Sequence, residues 1–354
     1  MQLEKRNSHS RTAWLLAPFG ALLFTLAVSS LLVLWAGAPL AKTYGLLLAG
    51  GFGSVFALSE TLTRAIPLML TGLAVTVAFK ARLFNIGAEG QLYGGALAAV
   101  AVGGLHGGEG FTAVPQGLLF LAMLAAAALA GAALLLGPAL LKARLGVDEV
   151  VTTLLLNFIV LLGVSLALDG PMKDPTAMGW PQSVALQSEL ELSKLVPQTR
   201  LHTGLLWAIG LALALWLVLQ RTVAGFDMRA MGANPRAAAF VGVAPLRTVV
   251  MVALLSGGLA GLAGAIEVAG RTSYVTLDMS PGYGYTGIVI AMLAGLHPLG
   301  VVAASVLVAG VLVGADSMSR AVGVPSYLAD AMVATALISV LVATLLTQYR
   351  IRWR

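Results

Sequence analysis

Hydrophobic residues in this chain run in long uninterrupted blocks, without the regular alternation with polar residues that marks a half-buried helix or strand. After a basic start (1–12, MQLEKRNSHSRT), residues 13–41 carry no charge at all. Further apolar runs follow at 62–79, 84–105, 116–141, 149–168, 203–220, 248–268, 285–296, 298–315 and 327–347. About 20 apolar residues cross a bilayer as a helix, so the pattern predicts an all-α polytopic membrane protein with about ten transmembrane helices. A cleaved signal peptide is the rival reading of the first run, because Ala36-Gly37-Ala38 resembles a cleavage site. A signal's apolar stretch is only about 7–15 residues, which favours a retained span. The Gly-rich stretch 44–59 reads as a partial or membrane-surface element. Two runs are poorly bounded: 84–105 is interrupted by Glu89 and several glycines, and 285–315 is split by His297-Pro298.

Composition sharpens this reading. Only 10% of the 354 residues are charged, 59% are hydrophobic and the mean hydropathy is +0.93. A soluble domain carries roughly a quarter charged residues, and disorder needs low hydrophobicity, so both classes are excluded. The chain has no cysteine, which excludes disulfides and thiolate chemistry. The net charge of +6 comes without a basic stripe interleaved with aromatics, so nucleic acid is not an expected partner. With the N-terminus inside, fourteen of the 21 Lys and Arg residues fall on the cytoplasmic side and seven on the other. The positive-inside rule then puts both termini in the cytoplasm. The expected organisation is a cytoplasmic leader (1–12), one transmembrane domain (13–347) and a cytoplasmic tail (348–354). Within the domain, 169–202 is an outer loop and 221–247 an inner one with four arginines.

Gly-interrupted segments recur at GAEGQLYGG and PGYGYTGIVIAMLAG, the second positions of spans 2–5 and 7–10. That arrangement suggests an inverted repeat, a transporter signature. Ladders of small residues (Gly90, Gly94, Ala98; Gly257, Gly261, Gly264) suit close helix packing in lipid. No P-loop, H-E-x-x-H motif or Gly-x-Ser-x-Gly elbow is present, and the histidines (His9, His106, His202, His297) are scattered. The sequence thus offers no catalytic, metal or cofactor site.

Polar residues at membrane depth tend to be functional. Asn157 lies mid-span in VVTTLLLNFIV and either faces a substrate path or bonds a neighbouring helix. Asn85 and Glu89 lie within FNIGAEGQ; Glu89 contacts a substrate, carries a proton, or pairs with Lys80 or Arg82. Glu267 and Asp330 fall near the outer ends of their spans, and Asp148 and Glu149 open the span 149–168 where a helix dipole favours acids. In the inner loop, GFDMRAMGANPRAAAFVGVAP supplies an N-cap (Asn234), a proline for the first helical position (Pro235) and a glycine stop (Gly242). A short capped helix with Arg229, Arg236 and Phe240 looks built to dock, and a solvated connector is the plainer alternative.

Taken together, FNIGAEGQLYGGALAA, DEVVTTLLLNFI, DGPMKDP, RAMGANPRAAAFVGV, LSGGLAGLAGAIEV and SPGYGYTGIVIAMLAGLHPLG resemble one family in collinear order from about residue 60 to 347. It is the permease family of bacterial ABC importers for ribose, nucleosides and branched-chain amino acids. DGPMKDP and SPGYGYTGI are most similar to its nucleoside branch, which depends on a BMP-type lipoprotein. The resemblance implies a permease subunit in the bacterial inner membrane that conducts a small neutral solute, a nucleoside or a simple sugar. It further implies three partners: a second permease subunit, identical or different; an ATPase with two nucleotide-binding modules; and an extracytoplasmic substrate-binding lipoprotein. The family's coupling segment maps onto Met228 to Val243. Asn85, Glu89 and Asn157, with Phe158, Tyr283 and Tyr285 as aromatics able to stack on a base or simply to pack, are the expected path residues. The competing class is a proton- or ion-coupled secondary transporter using Glu89, Glu267 or Asp330.

Overall fold

The computed structural model describes residues 2–5, 11–105, 114–323 and 326–352. Within them the chain is a succession of helices. In chain order these are α1 (Arg11–Trp35), α2 (Leu40–Phe52), α3 (Val55–Lys80), α4 (Ala88–Gly103), α5 (Gln116–Leu145), α6 (Glu149–Asp169) and α7 (Gly204–Arg221). They continue with α8 (Val223–Ala233), α9 (Pro235–Phe240), α10 (Pro245–Glu267), α11 (Tyr283–Leu293), α12 (Pro298–Val322) and α13 (Ser326–Gln348). A π-helical turn, Val268–Thr272, extends α10. The one sheet among the described residues is the antiparallel pair β1 (Gln2–Lys5) and β2 (Tyr349–Arg352), which joins the two ends of the chain.

Six of the described helices are long and apolar enough to cross a membrane, or seven if a bent pair counts as one span. Two expected spans fall short for a physical reason. α4 and α11 have 16 and 11 residues, and at 1.5 Å per residue neither traverses a core of about 30 Å. The stretch 44–59 does not form one element. It divides into the end of α2 and the start of α3, and Leu23–Trp35 meets Leu40–Phe52 at 115°. The bend falls at Ala36-Gly37-Ala38, where Gly37 takes the positive φ (+73°) that a side chain would resist.

The chain packs as two compact units. The first comprises residues 1–62 and 306–354. There Val33, Ala315, Met318, Leu328, Met332 and Val333 form the core. α2 and α12 touch backbone to backbone: a Cβ on Gly51 would lie 2.4 Å from the Gly310 carbonyl oxygen, and one on Gly314 would lie 2.1 Å from that of Leu47.

The second unit, residues 63–305, is centred on α10. α10 runs between α4 and α5 at backbone distance, along the small-residue ladder visible in the sequence. A Cβ on Gly261 would lie 2.1 Å from the Ala127 carbonyl oxygen, and one on Gly264 would lie 2.0 Å from that of Leu92. From the other helices, Gly95 and Gly131 meet α10 in the same way. α6 is built in the opposite sense: Leu154, Leu155, Ile159, Leu162 and Leu166 point outward, as hydrocarbon allows.

The loop after α6 folds over one end of this unit. Its backbone bonds to the C-terminal end of α4 (Gln187 N–H to the Gly103 carbonyl, 3.0 Å) and to the chain following α10 (Leu186 N–H to Ser273, 2.7 Å; Ser183 N–H to Val275, 3.0 Å). His202 anchors the loop's far end. Its imidazole is buried against Gly204 and Gly270, and Nδ1 accepts the Gly204 N–H at 3.2 Å. Burial, with Arg271 and Lys194 nearby, holds its pKa down at about 4, so the ring is neutral at ordinary pH.

The backbone contacts of α10 make a sharp test. Gly261→Ala should lower the melting temperature of the detergent-solubilised protein by several degrees and reduce its monodisperse yield. Gly258→Ala should be tolerated, because its Cβ would meet nothing closer than 3.6 Å. Equal effects of the two substitutions would contradict this packing.

Candidate functional site: two half-helices and a polar stripe

After Lys80 the backbone turns back into the unit, and residues 81–87 run without helical hydrogen bonding before α4 begins. The N–H groups of Ala81, Arg82, Leu83 and Asn85 bond back to carbonyls of Ala78, Phe79 and Leu83. Unpaired N–H and C=O groups are costly inside a membrane protein, so the remaining ones need partners from elsewhere. α6 supplies most of them. Glu149, Thr153 and Asn157 stand four residues apart on its one buried polar face. Glu149 Oε1 accepts the Phe84 N–H at 3.1 Å, and Thr153 Oγ1 accepts the Ile86 N–H at 3.2 Å. Asn157 Oδ1 accepts the Gly90 N–H at 2.9 Å, while its Nδ2 donates to the Ile86 carbonyl at 2.9 Å. At the lower end of the stripe, Lys142 pairs with Glu149, donates to the Arg82 carbonyl at 2.6 Å and lies 5.7 Å from the centre of the Phe84 ring.

Asn85 completes the segment. Its amide pairs with that of Gln91 through two hydrogen bonds of 2.9 Å, Oδ1 also accepts the Gly87 N–H, and Nδ2 donates to Ser256 at 3.1 Å. Ser256 in turn donates to the Ala74 carbonyl of α3 at 2.7 Å. Both donors and both acceptor positions of the Asn85 side-chain amide are therefore engaged.

α11 begins beside α4. Ser280-Pro281-Gly282 makes the turn, with Gly282 at φ +84° and Ser280 Oγ accepting the Tyr283 N–H at 3.0 Å. Glu89 reaches across from the first turn of α4, and its Oε2 accepts the Gly284 N–H at 2.6 Å. The backbones nearly touch: a Cβ on Gly284 would lie 2.2 Å from the Glu89 nitrogen. Asn157 Nδ2 lies 3.1 Å from the Tyr285 hydroxyl, Thr71 Oγ1 lies 3.0 Å from the Tyr283 carbonyl, and the Tyr93 hydroxyl donates to the Leu277 carbonyl at 2.5 Å. Two helix N-termini thus meet in the interior of the unit, next to the Thr71–Ala74 turn of α3.

The residues singled out in the sequence consequently part ways. Asn85, Glu89, Asn157 and Tyr283 are buried, and each is hydrogen-bonded to protein. Phe84, Phe158 and Tyr285 keep partly exposed rings. Glu89 does not pair with Lys80 or Arg82: its partner is the α11 backbone, while the Arg82 carbonyl serves Lys142. Glu267 pairs with Arg271, which also donates to the Tyr283 hydroxyl at 3.1 Å. The side chain of Asp330 lies outside what is described, as does His106. Thr153, Gln91 and Tyr93 were not singled out. The signal for Thr153 was available in the i, i+4, i+8 spacing of Glu149, Thr153 and Asn157.

At the opposite end of the second unit from the loop after α6, α8 and α9 make the segment between α7 and α10. Asn234 caps α9 as its sequence suggests, with Oδ1 accepting from Arg236 N–H at 3.0 Å and Ala237 N–H at 3.2 Å. Gly242 follows at φ +94°. α8, capped by Thr222 (Gly225 N–H to Oγ1, 3.1 Å), was not foreseen. It packs closely on α3, since a Cβ on Gly232 would lie 1.8 Å from the Lys80 carbonyl oxygen. Arg229, on the same α8 face, has a buried Nη1 without a hydrogen-bond partner among the described residues. Met231, Ala238 and Val243 hold α9 to α8, leaving Phe240 92% exposed.

Asn157→Leu leaves the Gly90 N–H and the Ile86 carbonyl without this partner. An orphaned buried group costs about 1–3 kcal/mol, so the variant should melt at a lower temperature in detergent, and Thr153→Val should lower it by a smaller amount. Phe158→Leu, on the exposed face of the same helix, serves as control. Equal melting temperatures for Asn157→Leu and the control would show that α6 does not hold the segment.

The comparisons with known proteins agree with this architecture. A family model described as branched-chain amino acid transport system / permease component matches residues 57–342. The guanosine ABC transporter permease NupP of Bacillus subtilis is 36% identical over 95% of this chain and 94% of its own length. The glucose ABC transporter permease TsgB13 of Haloferax volcanii is 34% identical over 99% of this chain and 93% of its own. The nucleoside ABC transporter permease NupB of Lactococcus lactis is 28% identical, covering 88% of this chain and 86% of its own. The match of the family model over four-fifths of the sequence, with a relative 36% identical along nearly its whole length, places this chain in that ABC-transporter permease family, as a multi-pass membrane subunit and not itself an enzyme.

Proposed function

We propose that this chain is the nucleoside-conducting permease subunit of an ATP-driven importer in the bacterial inner membrane. The observation that carries the reading is the similarity to NupP and NupB along most of the chain. The low charge of the interior agrees with a neutral cargo. The similarity to TsgB13 keeps a simple sugar as the second reading. The rival, a proton-coupled carrier, is disfavoured because Glu89 is bonded to Gly284 and Glu267 to Arg271.

In this reading the solute passes beside the meeting point of α4 and α11. Asn85, Glu89, Asn157 and Tyr283 support the path, and Tyr285 and Phe158 offer ring faces to a base, which stacks on aromatics for about 1–3 kcal/mol. Ten crossings within the inverted repeat, two of them made by a short helix (α4, α11) together with the non-helical chain that precedes it, leave both termini, the leader 1–12 and the tail 348–354 in the cytoplasm. Residues 13–347 act as one transmembrane domain. The loop 169–202 meets a substrate-loaded lipoprotein outside. Arg229, Asn234, Pro235, Arg236 and Phe240, within the loop 221–247, dock on an ATPase carrying two nucleotide-binding modules. That ATPase hydrolyses the ATP, and a second permease subunit completes the path. An exposed, rigidly capped phenylalanine is the anchor such an interface uses.

Two measurements test this. The chain has no cysteine, so Met178→Cys, at a fully exposed site in the loop after α6, should react with an impermeant thiol reagent added outside permeabilised-outer-membrane cells; labelling only after the inner membrane is breached would reverse the orientation. In vesicles containing the chain with its ATPase and second permease, loaded lipoprotein should stimulate ATP hydrolysis and drive guanosine uptake. Phe240→Ala should abolish at least nine-tenths of that stimulation, consistent with an anchor worth ~2 kcal/mol or more. Full stimulation in the variant would reduce α9 to a connector, and uptake of glucose but not guanosine would select the sugar reading.

A further inference from the structure

Glu89 is a buried acid at the place where the two half-helices meet, and its carboxylate bonds to the backbone of α11. It opens α4, whose N-terminal dipole favours an acid there, and it also accepts the Gly284 N–H at the N-terminus of α11. The Ser280 hydroxyl and the Gly282 amide flank the same carboxylate. The side chain thus bonds an N–H at the start of α11, which would otherwise be unpaired in the protein interior, and sets its charge at the start of α4, where Asn157 takes the Gly90 N–H. The facing elements are α3 and α6, and they grip the same short segment through Thr71 and Asn157. The tie of Glu89 runs directly from α4 to the first turn of α11, while Tyr93 of α4 holds the chain just before that turn, at the Leu277 carbonyl (2.5 Å) and the Ser280 N–H (3.3 Å).

From this geometry we infer that Glu89 is a positioning residue that binds α11 to α4, so that the two half-helices move as one body during transport. The inference rests on the importer reading above for its transport consequences, and on the Glu89–Gly284 bond alone for its structural ones. What matters is reach, not charge. Glutamine keeps an acceptor oxygen at the same distance along the side chain, whereas aspartate keeps the charge but is one carbon–carbon bond (about 1.5 Å) shorter. If Glu89 instead worked as a proton carrier or by its charge, the order of the two variants would reverse.

The test compares Glu89→Gln, Glu89→Asp and Glu89→Ala in two assays. The first needs no transport. Met279, buried just before the α11 turn, is replaced by cysteine in the otherwise cysteine-free chain, and the rate of maleimide labelling is measured in detergent. Glu89→Asp and Glu89→Ala should label at least fivefold faster than the parent, and Glu89→Gln within twofold of it. The second assay is lipoprotein-dependent uptake in vesicles. Glu89→Asp should lower the maximal rate at least tenfold with the half-saturating lipoprotein concentration within twofold of wild type, while Glu89→Gln retains at least half the rate. Should Glu89→Ala fail to fold, the contrast between Gln and Asp decides alone. Wild-type labelling and uptake in Glu89→Asp, or Glu89→Gln as impaired as Glu89→Ala, would overturn the inference. Absence of uptake by the wild-type protein would fail the importer reading instead, and the labelling order would still judge Glu89.

Discussion

The constraint on which the second unit depends is that an unwound backbone inside a membrane protein must find hydrogen-bond partners without water. Residues 81–87 leave the helical ladder, and α6 answers with Glu149, Thr153 and Asn157 on a single stripe. That stripe explains why α6 looks inverted: its polar residues are buried and its leucines face out. It also explains why so apolar a chain keeps an asparagine at mid-depth. Remove the unwound segment and Asn157 would be an expensive ornament in hydrocarbon.

Because the segment folds back, α4 starts inside the unit, and so does α11 after the Ser280-Pro281-Gly282 turn. Their first turns come within backbone contact at Glu89 and Gly284. Such an approach is possible only because the surrounding helices are also drawn tight, with Gly95, Gly131, Gly257, Gly261 and Gly264 letting α4, α5 and α10 touch without intervening side chains. Packing of this kind is the attraction available between helices in lipid, where burial of apolar surface no longer drives association. The glycines and the polar stripe are therefore two halves of one arrangement. One brings the half-helices together, and the other keeps their loose ends bonded.

Much of this was legible in the sequence, because membrane-protein signals are strong ones. Apolar runs located nearly every long helix, and the capped α9 was readable from Asn234, Pro235 and Gly242 because capping is local chemistry. The Gly257/Gly261/Gly264 ladder correctly announced close packing. What the sequence concealed was depth and direction. Nothing in 84–105 says that its first residues are unwound, so the run reads as helix from end to end. Besides a solute or proton role, the partners that the sequence offers Glu89 are the nearby bases Lys80 and Arg82, because sequence neighbours are visible and Gly284, 195 residues away, is not. Asn157 reads equally as a path residue or as a bond to a neighbouring helix, and Asn85 as a path residue, because a buried polar residue announces only that it has a partner. That the partner is backbone depends on tertiary structure.

The most direct test is hydrogen–deuterium exchange of the wild-type chain in a lipid nanodisc, resolved over residues 81–90. If α6 holds the unwound segment as described, the amides of Phe84, Ile86 and Gly90 exchange as slowly as those in the middle of α10, although Phe84 and Ile86 lie outside any helix. Exchange of these amides at the rate of the exposed Met178 and Gly179 would contradict the arrangement from which the rest of the account follows.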